Sequence, residues 1–195
     1  MHCGYQARCP CSVVAAYVLA HSVLYNYIAP FLGSVGLEER VDAVLLVFGG
    51  ASVLGLWLVG TLIDRHLRTL VIASSCLFAL AAVVLALFAQ FPALVSIGAA
   101  LWGFAFGGVA TLLQTAAAEA AGPAVDTGQS LFVTAWNLAI ADGGVIGGAL
   151  LAGAGPEMLP RATLAIAVPA ILTSALTRRN AFPGLADRQH REAAS

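Results

Sequence analysis

Residues 69–90 read Thr-Leu-Val-Ile-Ala-Ser-Ser-Cys-Leu-Phe-Ala-Leu-Ala-Ala-Val-Val-Leu-Ala-Leu-Phe-Ala-Gln, with no charge and no proline. As an α-helix this stretch rises about 33 Å, enough for the roughly 30 Å hydrocarbon core of a bilayer. Its apolar residues do not alternate, as the ten-residue strands of a membrane barrel would. In lipid a helix satisfies its own backbone hydrogen bonds. The charged segment Asp64-Arg65-His66-Leu67-Arg68 precedes the run, and Phe91-Pro92 ends it. Outward from it the same reading gives spans at Ser12–Gly33, Asp42–Ile63, Pro92–Thr115, Thr127–Gly153 and Leu159–Thr177, besides Thr69–Gln90 itself. The breaks are Glu38-Glu39-Arg40, Asp64–Arg68, Gln90-Phe91-Pro92, Ala121-Gly122-Pro123-Ala124 and Gly155-Pro156-Glu157. Connections this short make consecutive spans antiparallel neighbours. The expected fold is an all-α membrane protein of six transmembrane helices.

Composition agrees. Of 195 residues, 60% are hydrophobic and 10% charged, against about 25% charged in soluble domains. The net charge is −1, and no basic face offers itself to nucleic acid. All basic residues are arginines, and they are unevenly placed. Arg8, Arg65, Arg68, Arg178, Arg179, Arg188 and Arg191 fall on the side of the termini, and only Arg40 and Arg161 on the other. By the positive-inside rule both termini face the cytoplasm, in a multi-pass protein of the plasma membrane. Residues 1–11 then form an N-terminal tail, 12–177 the membrane domain and 178–195 a C-terminal tail. The first span is too long for the apolar core of a cleaved signal and is read as retained. His2, Cys3, Cys9 and Cys11 lack the spacing of a structural zinc site, so the tail is read as reduced and unstructured. No metal or cofactor is expected.

Glycines cluster in two spans. Gly103-x-x-x-Gly107 lies in the fourth, and Gly143-Gly144 with Gly147-Gly148 in the fifth. A spacing of four puts each pair on one helix face, where backbones approach closely. Pro169 removes a backbone donor inside the sixth span and is expected to kink it. Asp126-Thr127-Gly128-Gln129 reads as an N-cap with its capping-box partner.

Gly60-Thr61-Leu62-Ile63-Asp64-Arg65-His66-Leu67-Arg68 resembles the G-x-x-x-D-R-x-G-R loop of the major facilitator superfamily. Four further stretches are similar to one branch, the bacterial twelve-span drug–proton antiporters of the arabinose and chloramphenicol efflux type. They are Ala20-His21-Ser22-Val23-Leu24-Tyr25-Asn26-Tyr27-Ile28-Ala29-Pro30-Phe31-Leu32, Leu101-Trp102-Gly103-Phe104-Ala105-Phe106-Gly107-Gly108, Leu112-Leu113-Gln114-Thr115 and Trp136-Asn137-Leu138-Ala139-Ile140-Ala141. Their order resembles helices seven to twelve, the C-terminal six-helix half. Leu67 departs from the loop glycine, and Asp142 stands where the branch carries a small residue. The resemblance implies a substrate cavity between two six-helix halves that rock against each other. With one half in the sequence, the alternatives are a truncated product, half of a hetero-pair or a homodimer, and the cysteine-rich start favours an eroded gene.

The resemblance also implies roles. His21, Tyr25, Asn26, Tyr27, Gln114, Trp136 and Asn137 are the substrate-cavity candidates. In the loop, Gly60, Asp64, Arg65 and Arg68 are the motif residues, with Asp64 set against a helix N-terminus of the opposite half. Read from its position alone, Asp142 is an ionisable group inside a span, which is costly and marks a pathway or a partner; it is the proton-coupling candidate. His21 either relays protons or sits neutral, hydrogen-bonded to a neighbouring helix. No H-E-x-x-H, G-x-S-x-G or phosphate-cradling motif occurs, so no enzyme is expected. The expected function is proton-coupled efflux of a small molecule such as a drug, sugar or nucleoside. The alternative is a non-transporting membrane subunit that acts by helix–helix assembly.

Overall fold

A computed structural model describes residues 3–176, and those residues form helices and short turns. In chain order they are α1 (Cys3–Tyr25), α2 (Ile28–Ser34), α3 (Val41–Leu87), α4 (Pro92–Gly107), α5 (Val109–Ala121), α6 (Val125–Ala154) and α7 (Met158–Leu176). Among the described residues, Glu38–Leu87, Pro92–Glu119 and Gly122–Ala154 are long and apolar enough to cross a membrane, and the bent pair α1–α2 makes a fourth candidate. α1 starts at Cys3, where the sequence reading expected an unstructured tail up to residue 11. The C-terminal tail lies outside the described residues.

α3 is continuous in hydrogen bonding but leaves helical geometry at His66 (φ −132°, ψ 26°). Its packing shows what happens there. Ser52 Oγ donates to the Gly103 carbonyl at 3.0 Å, and Ser74 Oγ donates to the Ala105 carbonyl at 2.7 Å. A straight helix would hold Ser52 and Ser74 about 33 Å apart, whereas Gly103 and Ala105 sit about 3 Å apart along α4. α3 therefore reverses at His66 into two limbs, 41–65 and 67–87, which flank α4. The Asp64–Arg68 segment is this reversal, and Asp64, Arg65 and Arg68 are exposed on it.

Two of the expected spans are broken. The chain bends by 51° between α1 and α2. Pro30 cannot donate to the carbonyl of Asn26 and its ring crowds that group, so the helix opens at 26–27. The second break separates α4 from α5 at Gly108 (φ −99°, ψ 0°), beside a second glycine of low helix propensity. α7 continues through Pro169 to Leu176. α6 begins at Val125 with no side-chain cap. Asp126 is thus a first-turn acid that complements the helix dipole, not the expected N-cap. Gln129 reaches across to donate to the Gln114 carbonyl at 3.3 Å.

Glycines set the closest approaches. A Cβ on Gly103 or Gly107 would run into the carbonyl oxygen of Phe48 or Ser52, and one on Gly55 into that of Phe104. α4 and the first limb of α3 thus lie backbone to backbone. On α6, a Cβ on Gly143 would strike Ser22 at 2.5 Å, and one on Gly147 would lie 2.7 Å from the Tyr27 ring. Helix pairs in lipid gain from such close packing, because burial away from water supplies no drive there. Gly60 differs, with nothing within 4 Å of its Cβ position.

Candidate transport site

The fold gathers an aromatic cluster where α1, the first limb of α3, α4 and α6 meet. His21 lies at its centre. Its ring stacks on Phe106 with centroids 3.5 Å apart and planes 5° apart, and on Tyr25 at 5.0 Å. Trp102 meets His21 edge-on at 5.3 Å, and its Nε1–H donates to His21 Nδ1 at 3.1 Å. Phe48 packs against Trp102 at 4.9 Å and Tyr25 at 5.6 Å. Phe106 carries the cluster on to Trp136 at 6.4 Å, and Trp136 meets Phe132 at 5.6 Å. Aromatic pairs with centroids about 4.5–7 Å apart are each worth about 0.5–1.5 kcal/mol beyond burial. Exposure is graded across the cluster: Trp102 and His21 are buried, Phe48, Phe106 and Trp136 half-buried, and Tyr25 is 42% exposed.

The bond from Trp102 fixes the state of His21. An Nδ1 that accepts carries no proton, so the neutral ring bears its hydrogen on Nε2. Among the described residues Gln129 Oε1 is the buried side-chain atom left without a partner. Among the described residues His21 Nε2 meets no hydrogen-bond partner. The cluster therefore holds one N–H donor among aromatic faces. The hydrogen bond to a neighbouring helix that one of the two readings of His21 expected is present.

The other candidates take different places. Tyr27 donates to the Gly144 carbonyl at 2.7 Å and lies over Gly147 and Gly148, binding the start of α2 to α6. Asn26 is exposed beside Gly144. Asn137 is exposed and turns its amide back to the Val133 carbonyl at 2.8 Å. Gln114 is exposed on α5. Asp142 is exposed too, on the outer stripe of α6 that carries Leu138 and Val145 at helical spacing, away from the buried Gly143. Position alone placed it inside a span; in this chain its side chain is exposed.

Four members of the cluster, Phe48, Trp102, Phe106 and Phe132, were not named as site candidates from sequence. The spacing of Trp102 and Phe106, one turn apart in α4, signalled a shared face. Nothing local marked Phe48, which reaches the cluster through the glycine seam between α3 and α4.

The family model described as Major Facilitator Superfamily matches residues 11–193. The chain belongs to this superfamily. It is accordingly a multi-pass membrane protein of a transporter family. A curated relative, the transcription regulatory protein OpdE of Pseudomonas aeruginosa, is 31% identical over 162 residues, which cover 82% of this chain. The chain spans 40% of the length of that relative.

Proposed function

We propose that this chain supplies one wall of a transport cavity and works with a second six-helix unit, either an N-terminal half or a second copy. The cargo is a small, weakly polar or amphipathic molecule such as a drug, sugar or nucleoside, exported across the plasma membrane in exchange for protons. Both termini lie in the cytoplasm. The observation that carries the reading is the His21 cluster: flat aromatic faces and one fixed Nε2–H donor suit a molecule with an apolar ring or edge and a hydrogen-bond acceptor. Asp142 supports a second unit. A carboxyl on an apolar outer stripe is costly against lipid and acceptable against water or protein. Under this reading Asp142 loads and releases the coupling proton.

Reconstitution tests the proposal. The purified chain is placed in vesicles alone and together with a six-helix complement, under an imposed pH gradient. Efflux that depends on the complement supports a half-transporter, and efflux by the chain alone supports a homodimer. A second reading is a membrane protein that acts by helix–helix assembly without transport; OpdE, a relative over 82% of this chain, carries the name of a transcription regulatory protein. Absence of transport in both arms, with stable association of the two units, would establish that second reading in place of the first.

A further inference from the structure

An open cavity of about 290 Å³ lies at the opposite end of the bundle from the Asp64–Arg68 reversal. It is framed by the end of α2, the end of α3 with its following turn, and the start of α7. These are the places where the chain leaves its apolar spans, so the cavity sits at the level of the membrane surface. Its lining includes apolar Phe31, Leu85 and Leu87, of which Leu87 is exposed, together with Ser34, Gln90, Glu157 and Arg161.

The two charges stand one helical turn apart and sum to zero. Arg161 lies in the first turn of α7, where the positive end of the helix dipole disfavours a cation and favours an anion. Its guanidinium donates to Met158 Sδ at 3.7 Å, a weak acceptor with no charge to balance it. An anion bound here would relieve both. Glu157 precedes the helix and offers a carboxylate to a cation. Ser34 Oγ spends its hydrogen on the Phe31 carbonyl at 2.7 Å, which leaves the oxygen as an acceptor in the same lining. The volume falls at the lower edge of the ~300–1,000 Å³ range of small-molecule pockets. It suits a headgroup better than a whole drug.

We infer that this cavity binds the headgroup of a zwitterionic phospholipid, with the phosphate on Arg161, the ammonium on Glu157 and the first part of the acyl chains along the exposed Leu87. The shared chemistry of phosphate and ammonium would also suit a free phosphoethanolamine; the exposed Leu87 and the position at the membrane surface select the lipid.

Titration calorimetry of the full chain in maltoside micelles tests the assignment without reference to transport. The probes are dihexanoyl-phosphatidylethanolamine, dihexanoyl-phosphatidylglycerol and phosphoethanolamine. The ethanolamine lipid should bind at least about tenfold tighter than phosphoethanolamine, and Arg161→Gln should weaken it by about tenfold, as loss of one charged hydrogen-bond partner implies. Arg161→Lys keeps the charge and should restore most of the affinity. Glu157→Gln should erase the preference for the ethanolamine over the glycerol headgroup. Both side chains are exposed, and an unchanged helical circular dichroism spectrum confirms that each variant is folded. Equal binding by the native chain and Arg161→Gln would overturn the inference. So would phosphoethanolamine binding as tightly as the lipid, or no headgroup preference in the native chain.

Discussion

Gly147→Ala tests whether the packing of α6 on α1 depends on a bare backbone. The added Cβ would stand 2.7 Å from the Tyr27 ring and 2.9 Å from the Val23 carbonyl oxygen, where ordinary contact begins at 3.4 Å. Tyr27 must therefore yield by about 0.7 Å (3.4 − 2.7), but its hydroxyl is held on the Gly144 carbonyl at 2.7 Å. Overpacking of this kind costs about 1–3 kcal/mol. Straining the Tyr27 bond adds about 1 kcal/mol, and the better helix propensity of alanine returns about 1 kcal/mol. The net loss is about 1–3 kcal/mol, a fall of roughly 2–12 °C in the unfolding midpoint of a chain this size. Gly60→Ala is the matched control. Its Cβ meets nothing within 4 Å, so only the propensity gain remains and the midpoint should rise by about 2–4 °C. Thermal unfolding followed by circular dichroism in detergent reads both variants. If Gly147→Ala unfolds as late as Gly60→Ala, the close approach of α1 and α6 is not a feature of the folded protein.

Trp102→Phe deletes the donor to His21 Nδ1 and should cost about 1–3 kcal/mol by leaving a buried acceptor unpaired; it should also mix the two neutral tautomers, visible in the imidazole ¹⁵N shifts of labelled protein, and an unchanged spectrum refutes the assigned bond. Single cysteines at Glu38 and Glu157 should react with a membrane-impermeant thiol reagent in intact cells, and one at Arg188 should not; the reverse pattern inverts the orientation. Asp142→Asn should abolish proton-coupled transport in vesicles holding the complementary unit while insertion and substrate binding persist, and undiminished coupling removes Asp142 from the proposal. Asp64→Asn should reduce folded yield only when the second unit is co-expressed, as a cap on a helix of that unit requires; an equal loss without it places the role of Asp64 inside this chain.

The membrane class and helical architecture were legible because they depend on run length and on the solvent. Thr69–Gln90 has no other structure available to it in lipid, and the charges at Asp64–Arg68 mark a reversal that appears as the break at His66. The spans at Ser12–Gly33 and Pro92–Thr115 read as single helices because hydropathy does not register backbone geometry. The first break was nevertheless written in Pro30, whose missing donor falls on Asn26. The second needed the geometry of Gly108. At the site, the stacking of His21 and Tyr25 followed from their spacing of four. The partnership of His21 with Trp102 joins residues 81 positions apart and had no local sign. Asp142 shows the limit of reading depth alone: a residue near the middle of a span can face inward or outward, and only the partners of Gly143 fix which.

The glycine seams also predict a pattern of mutational tolerance. Where Gly103 and Gly107 rest on the carbonyls of Phe48 and Ser52, no side chain takes part, so no repacking can absorb a substitution. In a saturation scan these positions, with Gly55, should reject even alanine. Their neighbours Leu54 and Leu56 point outward and are 60% and 48% exposed, and they should accept any apolar residue. Tolerance along α3 would then alternate between near-zero and near-complete within a single turn. A library that varies Phe48 or Trp102 would best hold those glycines fixed.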